Sequence, residues 1–449
     1  MLLPTLTAAF FGSLAVATAP VLDDPAVSPE PAAAPQTILI RAHEVYVRPG
    51  VVLLDTDVLV RGSEIVAVGK GLEAPEGAQL LEGQAVCAGY IDPWSSLGLD
   101  TASVLDFGTS ASTATAVAVD DFDQSHARAT ARDAGVLLVR SQAGASAYIG
   151  GLGTVLRAAP GGGIQLADAC LQFTCGVGRP QVGDLFDRVS EADRIASDLA
   201  GGLKYRESQN EYRYELEEWQ KTITEKEAEL EKDFKKAKKD RDKEIEKAKE
   251  KAKEKEFKEE KYKEDKKPRE PKFDADEEVL ARAANGELPV VVGVNGGPEI
   301  RALLDATKDF ARLRLILSGA EGALPYAEQL AERGVVVILT PEPANGRGNA
   351  AADLAGALSA KGVRVLVGTG GGVDTVRDLP VLVQRAMAGG LTAEQALAAV
   401  TLAAAEAFDV ADRFGSVEVG KKAELLILDG APLTGRPTAV VTGGEVVKL

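Results

Sequence analysis

Histidine is almost missing from this chain: its 449 residues hold two, His43 and His126. Hydrolytic zinc-type centres are built from imidazole, carboxylate or thiolate, and two histidines far apart in the chain leave few imidazoles for one. Cysteine is scarce as well, and the three residues Cys87, Cys170 and Cys175 leave one unpaired under any pairing. Cys170 and Cys175 could bridge only if a tight turn brought their α-carbons within about 7 Å; burial in a strand is the plainer alternative. Cys87 reads as a small core residue. Long apolar runs are missing except Leu2 to Ala17, roughly 16 residues, which is short for a membrane span. The A-x-A patterns Ala15-Val16-Ala17 and Ala17-Thr18-Ala19 follow it, so residues 1–19 read as a secretory signal and the product as exported, periplasmic or secreted. Residues 20–36 carry five prolines and no core pattern and read as a disordered Pro/Ala-rich leader. No transmembrane anchor is expected.

Positive charge is in deficit. The formal net charge is −17, and nucleic-acid binders need a clustered basic surface, so nucleic acid is excluded as a partner. The imbalance is uneven. Between Lys204 and Lys272 lie 24 of the 51 basic and 22 of the 68 acidic residues. This segment is nearly neutral, and the rest of the chain is strongly acidic.

The same segment, 204–272, holds no glycine, and its prolines are Pro268 and Pro271. It reads as a charged helical insert. Tyr212, Leu216, Trp219, Ile223, Leu230, Phe234 and Ala237 fall at heptad-like spacing, which can line a helix–helix seam. Such a stripe fits a coiled-coil contact with a partner, or packing on the protein's own exterior. A helix of this length must fold back or be followed by an extended return, and Asp240–Lys243 is the favoured bend.

Outside the insert, Ile38 to Ala42 and Asp57 to Gly69 alternate as strands, and Gly415 to Asp429 returns to that pattern near the C-terminus. Pro289 to Val294, Leu313 to Leu317, Gly334 to Leu339 and Val363 to Val367 are short apolar runs alternating with helical patterns. That alternation indicates parallel βαβ units.

Gly89-Tyr90-Ile91-Asp92-Pro93-Trp94-Ser95-Ser96-Leu97-Gly98 resembles the first barrel strand of the amidohydrolase superfamily, imidazolonepropionase-like metal-dependent hydrolases, whose wording is close to G-x-I-D-x-H-x-H-L-G. Gly415 to Asp429 resembles that family's C-terminal G-S-I-x-x-G-K-x-A-D-L-V-V-L-D. The resemblance implies a (β/α)8 TIM barrel with a small β-sandwich domain built from both chain ends. The expected divisions are 37–86 and 413–449 for the small domain, 87–203 and 273–412 for the barrel, and 204–272 for the insert.

The resemblance also locates the family's metal ligands, and this chain departs at each. Trp94 and Ser96 stand where the paired histidines would be, Gly293 and Gly319 where two further histidines would be, and Gly370 where the water-orienting aspartate would be. An indole nitrogen has no lone pair to give, and a serine hydroxyl is a weak neutral donor. The expectation is therefore no metal, no cofactor and no catalytic residue. Three functions remain open. One is a non-catalytic pseudoenzyme serving as a binding or scaffolding subunit, paired through the insert with an intact amidohydrolase relative or with a homo-oligomer partner. Another is a hydrolase of carbon–nitrogen bonds with a non-standard site. The last is a small-molecule receptor whose pocket is lined by Trp94, Ser96, Asn295, Ser318 and Thr369, although Trp94 could equally fill the space the missing ligands leave.

Overall fold

Apolar runs bounded by turn residues become strands. The computed structural model describes residues 36–99, 114–115, 124–142, 147–176, 185–248, 266–341, 350–371 and 373–449. The expected signal, nearly all of the leader and the far part of the insert, 249–265, lie outside the described residues.

One sheet is built from both chain ends, as expected. It contains β1 (Thr37–Arg48), β2 (Val51–Arg61), β3 (Glu64–Gly69), β4 (Gln79–Ala88), β13 (Leu425–Leu428), β14 (Pro437–Thr442) and β15 (Glu445–Lys448), in the order β15-β14-β13-β4-β1-β2-β3. The two halves of the expected sandwich are one continuous sheet, in which Ile38, Val58, Val60 and Ile65 share a core with Leu425, Ile427 and Val441. His43 and Asp55 interrupt the β1–β2 ladder. Asp55 adopts φ 49°, and the ladder resumes in the same register at Glu44↔Leu54.

The second sheet is the barrel. Its strands are β5 (Tyr90–Ser95), β6 (Val136–Ser141), β7 (Ile149–Arg157), β8 (Ile164–Thr174), β9 (Val290–Val294), β10 (Leu315–Gly319), β11 (Val336–Leu339) and β12 (Arg364–Val367), hydrogen-bonded in that order. Seven run in one direction. β7 runs against both β6 and β8, because the chain passes from β6 through β7 to β8 without a helix among the described residues, and a direct return can only be antiparallel. Elsewhere helices cover the outside: α1 (Ser125–Asp133) precedes β6, α3 (Ala275–Ala284) precedes β9, α4 (Gly297–Ala306) and α5 (Ala327–Glu332) flank β10, and α6 (Ala350–Ala360) precedes β12.

After β12 come α7 (Leu379–Ala388), α8 (Ala393–Ala399) and α9 (Leu402–Ala407). α9 and the residues after it plug one end of the barrel. Ala404, Ala405, Phe408 and Phe414 pack against the inward Ile91, Leu138, Val291, Ile316, Ile338 and Leu366. Arg314 and Arg364, at the starts of β10 and β12, pair with Asp409 and Glu406 at 2.7 and 3.4 Å. The plug therefore closes the N-terminal mouth and leaves the C-terminal strand ends for a site.

Among the described residues the first part of the insert continues a single helix, α2 (Leu185–Ala248), 64 residues long and unbroken through Asp240–Lys243. At about 1.5 Å per residue it extends roughly 96 Å. Its first turns belong to the barrel's outer layer, where Ala192, Ile195 and Leu199 are fully buried and Arg206 pairs with Glu278 at 2.7 Å. Farther along, Tyr212, Leu216, Trp219 and Ile223 of the heptad stripe are half-buried; the side chains of Leu230, Phe234 and Ala237 lie outside the described set. Among the described residues no helix is long and apolar enough to cross a membrane.

Candidate functional site

Side chains alternate along a strand, so the residue two positions past each apolar inward residue faces the next interior layer up. Above Leu138 comes Arg140, above Cys170 comes Gln172, above Val291 Gly293, above Ile316 Ser318, above Ile338 Thr340, and above Leu366 Gly368. A polar and glycine-rich layer thus caps an apolar one at the C-terminal strand ends.

Asp92 closes the ring. β12 and β5 share no backbone ladder, and the seam between them is held by this carboxylate. Its Oδ1 accepts the Trp94 N–H at 3.0 Å and the Thr369 N–H at 3.1 Å. Its Oδ2 accepts the Thr369 hydroxyl in a short hydrogen bond. Asp92 is fully buried, and burial pushes its pKa up to about 6 against the opposing pull of those donors and of Arg140. Three protein donors occupy three of its roughly four acceptor positions.

Arg140 spans the layer and is also fully buried. Its Nε donates to the Pro93 carbonyl at 2.6 Å, its Nη1 reaches the Cys170 sulfur at 3.3 Å, and its guanidinium carbon lies 5.0 Å from the centre of the Phe408 ring. Among the described residues its Nη2 has no hydrogen-bond partner, and neither do Gln172 Oε1, Thr174 Oγ1, Ser318 Oγ and Thr340 Oγ1. The layer is polar yet sealed from solvent at these atoms.

The structure gathers the five expected pocket residues only in part. Ser318 turns its free hydroxyl into the barrel, beside Gly293. Trp94 lies over Gly368 and Gly371: a Cβ added to either would meet Trp94 at 3.0 and 3.4 Å. The indole therefore fills volume between β5 and β12. Ser96 spends its hydroxyl on the Gly371 carbonyl, and Thr369 spends its own on Asp92. Asn295 is exposed at the rim, with its Oδ1 over Gly319. Sequence reasoning missed Arg140, Gln172, Thr174 and Thr340. A period-2 reading of Val136 to Ser141 and of Leu171 to Thr174 finds the first three, because the polar residues fall on the inward face.

The donor set does not fit a divalent metal. His43 lies in the small sheet with Nδ1 2.8 Å from Asp55, and His126 is exposed on α1. Among the described residues no three His, Cys, Asp or Glu side chains converge. Gly319 and Gly370 adopt φ of 89° and 80°, a region in which a histidine or aspartate would be strained. The cysteines are all free and buried. Cys170 belongs to the barrel interior and Cys175 to the outer helical layer, so an odd separation along one strand points them apart.

Grooves lined by described residues occur on the small sheet. One of about 360 Å³ is bounded by Arg41, His43, Asp55, Asp57 and Glu82, and a crevice of about 10 Å³ lies beside Tyr46 and Thr401. Neither touches Trp94.

Comparison with known proteins gives a consistent picture. The sequence model of the amidohydrolase family matches residues 226–448. Imidazolonepropionase of Shouchella clausii is 32% identical over 145 residues, a stretch covering 30% of this chain and 29% of that protein; the match spans less than a third of the curated relative. An amidohydrolase from Thermotoga maritima superposes with a TM-score of 0.68 at 19% identity, over 91% of this chain and 99% of its own. The ochratoxinase of A. niger superposes with a TM-score of 0.50 at 15% identity, over 92% and 96%.

Proposed function

We propose that this chain, which belongs to the amidohydrolase superfamily, is a non-catalytic member of it that acts as a binding or scaffolding subunit. One observation carries the reading: the strand ends around Asp92 hold tryptophan, serine and glycine where donors would be required, and no three potential ligands converge among the described residues. A metal-free hydrolytic route fares no better. Ser96 and Thr369 are committed to internal acceptors, Ser318 has no hydrogen-bond partner among the described residues, and a hydroxyl without a base is a weak nucleophile. Asp92 is buried and accepts three hydrogen bonds from the protein itself. The apolar run at residues 2–17 supports export, and the half-buried stripe of α2 supports the insert as the contact for an intact relative or a second copy.

Two measurements test this. Elemental analysis of the purified protein is expected to find zinc, nickel and manganese far below one equivalent. A panel of amides, cyclic amides and N-acyl compounds, assayed with and without added metal, is expected to show no turnover. Stoichiometric tight metal, or hydrolysis abolished by Asp92→Asn, overturns the proposal.

A further inference from the structure

Gly293 is where the polar layer of the barrel has room. Branched apolar side chains ordinarily fill such a layer, but Gly153, Gly293 and Gly368 contribute none. Neighbours take two of these places: a Cβ at Gly153 would meet the Cys170 sulfur at 2.6 Å, and one at Gly368 would meet Trp94 at 3.0 Å. At Gly293 the nearest atoms are Gln172 Nε2 and Ser318 Oγ, both at 3.7 Å, an ordinary contact distance. Gln172 and Ser318 are 1 and 2% exposed. The Gln172 Nε2 donates to the Phe173 carbonyl at 3.1 Å, so the end of the amide left unpartnered is the acceptor, Oε1.

The same layer holds a charge without a counter-charge. Arg140 is fully buried, and a guanidinium stays protonated inside a protein. Among the described residues no carboxylate is among its partners, which are the Pro93 carbonyl, the Cys170 sulfur and the face of Phe408. Asp92 turns its oxygens to Trp94 and Thr369 instead. An isolated buried charge is costly and is normally paired. Nη2 keeps its hydrogens for a further acceptor.

We propose that this layer binds a small monocarboxylate bearing a hydroxyl, of the glycolate class. Its carboxylate accepts from Arg140 Nη2 and the Ser318 hydroxyl, and its own hydroxyl donates to Gln172 Oε1. Each part of that chemistry answers an observation. One unpaired cation matches one negative charge. Nε and Nη1 are spent, so the two-pronged grip of arginine on a carboxylate gives way to one nitrogen and one hydroxyl. A free amide oxygen requires a donor on the ligand, which acetate does not carry. The inference rests on reading the strand ends as a site that binds without reacting, and it assigns the ligand class of that site.

Equilibrium dialysis of the full chain against radiolabelled glycolate gives the test, because it reads the end state however slowly a sealed layer is entered. Glycolate is expected to bind at one equivalent. Acetate and the uncharged glycolamide should each bind about tenfold or more weakly, since each leaves a buried protein group unpaired. Arg140→Met should abolish binding with native circular dichroism retained, and Ser318→Ala should weaken it about tenfold. Arg41→Ala, in the groove of the small sheet, should bind as the wild type does. Should Arg140→Met fail to fold, thermal unfolding decides: glycolate should raise the Tm of the wild type and raise that of Ser318→Ala less. The proposal is overturned by a wild type that neither binds glycolate nor releases a small acid on denaturation, or by unchanged binding in folded Arg140→Met. Acetate or bicarbonate bound as tightly as glycolate, loss of binding in Arg41→Ala, or equal Tm shifts in wild type and Ser318→Ala overturn it as well. Failure of glycolate binding in a metal-free, inactive protein leaves the non-catalytic reading standing, whereas stoichiometric metal or turnover removes that reading whatever glycolate does.

Discussion

The hydroxyl of Thr369, just past β12, donates to the carboxylate of Asp92 on β5, and the Thr369 N–H donates to the same group at 3.1 Å. This carboxylate stands in for the backbone ladder that β12 and β5 do not form, so a residue that reads as part of a catalytic motif works as a structural clasp.

The clasp has a pH signature. Asp92 titrates near 6 in the fold, against an ordinary value of 3.8. The native state therefore holds its proton where the unfolded chain has released it, and stability falls as pH rises from about 4 through 6. Asp92→Asn keeps an acceptor for the two N–H groups and removes the charge. Its stability relative to wild type should rise by on the order of 2–3 kcal/mol between pH 4 and pH 7.5, read from urea unfolding at both values. A pH-independent difference contradicts this account.

The small sheet is fastened to the barrel through Arg157 and Glu424. Arg157, at the end of β7, reaches the Glu424 carboxylate at 2.8 Å, and the Thr442 hydroxyl and Gly443 N–H complete that acceptor's partners. Glu424 is 4% exposed. Glu424→Ala leaves the guanidinium and two donors without partners and should cost about 3 kcal/mol in chemical denaturation. A loss within experimental error would show that the two units hold together without it.

None of the cysteines should react in the native state. Burial pushes the Cys87 thiol well above its ordinary range and Cys175 up to about 12, and all three are no more than 1% exposed. Thiol titration should count none before denaturant and three after it. Two fewer under non-reducing denaturation would reveal a bridge.

Restoring the paired histidines alone should not restore a metal site. Trp94→His/Ser96→His returns two imidazoles to β5, but Gly319 and Gly370 hold left-handed backbone where the remaining donors would stand. Adding Gly370→Asp should cost about 1–2 kcal/mol in strain. Zinc titration of the double variant should resemble that of the wild type; a tight stoichiometric site would mean that the frame is closer to competent than its backbone indicates.

The barrel was legible because continuous Val-, Ile- and Leu-rich runs flanked by helical patterns admit few other arrangements, and both ends of the small sheet announced themselves by alternation. The reversed β7 was not legible. Its glycine-rich stretch, Ile149 to Thr154, has the same apolar character whichever way it runs, and direction depends on which neighbours it meets. The strand pattern places Ser318 and Trp94 at the C-terminal strand ends, but nothing local to Ser96 or Thr369 says that a carbonyl and a carboxylate far along the chain will claim their hydroxyls.

What the amino-acid sequence determined by itself is the chemical inventory: two histidines, an acidic balance outside residues 204–272 and a nearly neutral, densely charged segment within them. No fold can create donors that the chain does not contain. What only the tertiary structure decided is the use of that inventory. Asp92 became a clasp and Arg140 a buried cation across the barrel, because hydrogen-bond partners and burial arise between residues hundreds of positions apart and are set when the strands close into a ring.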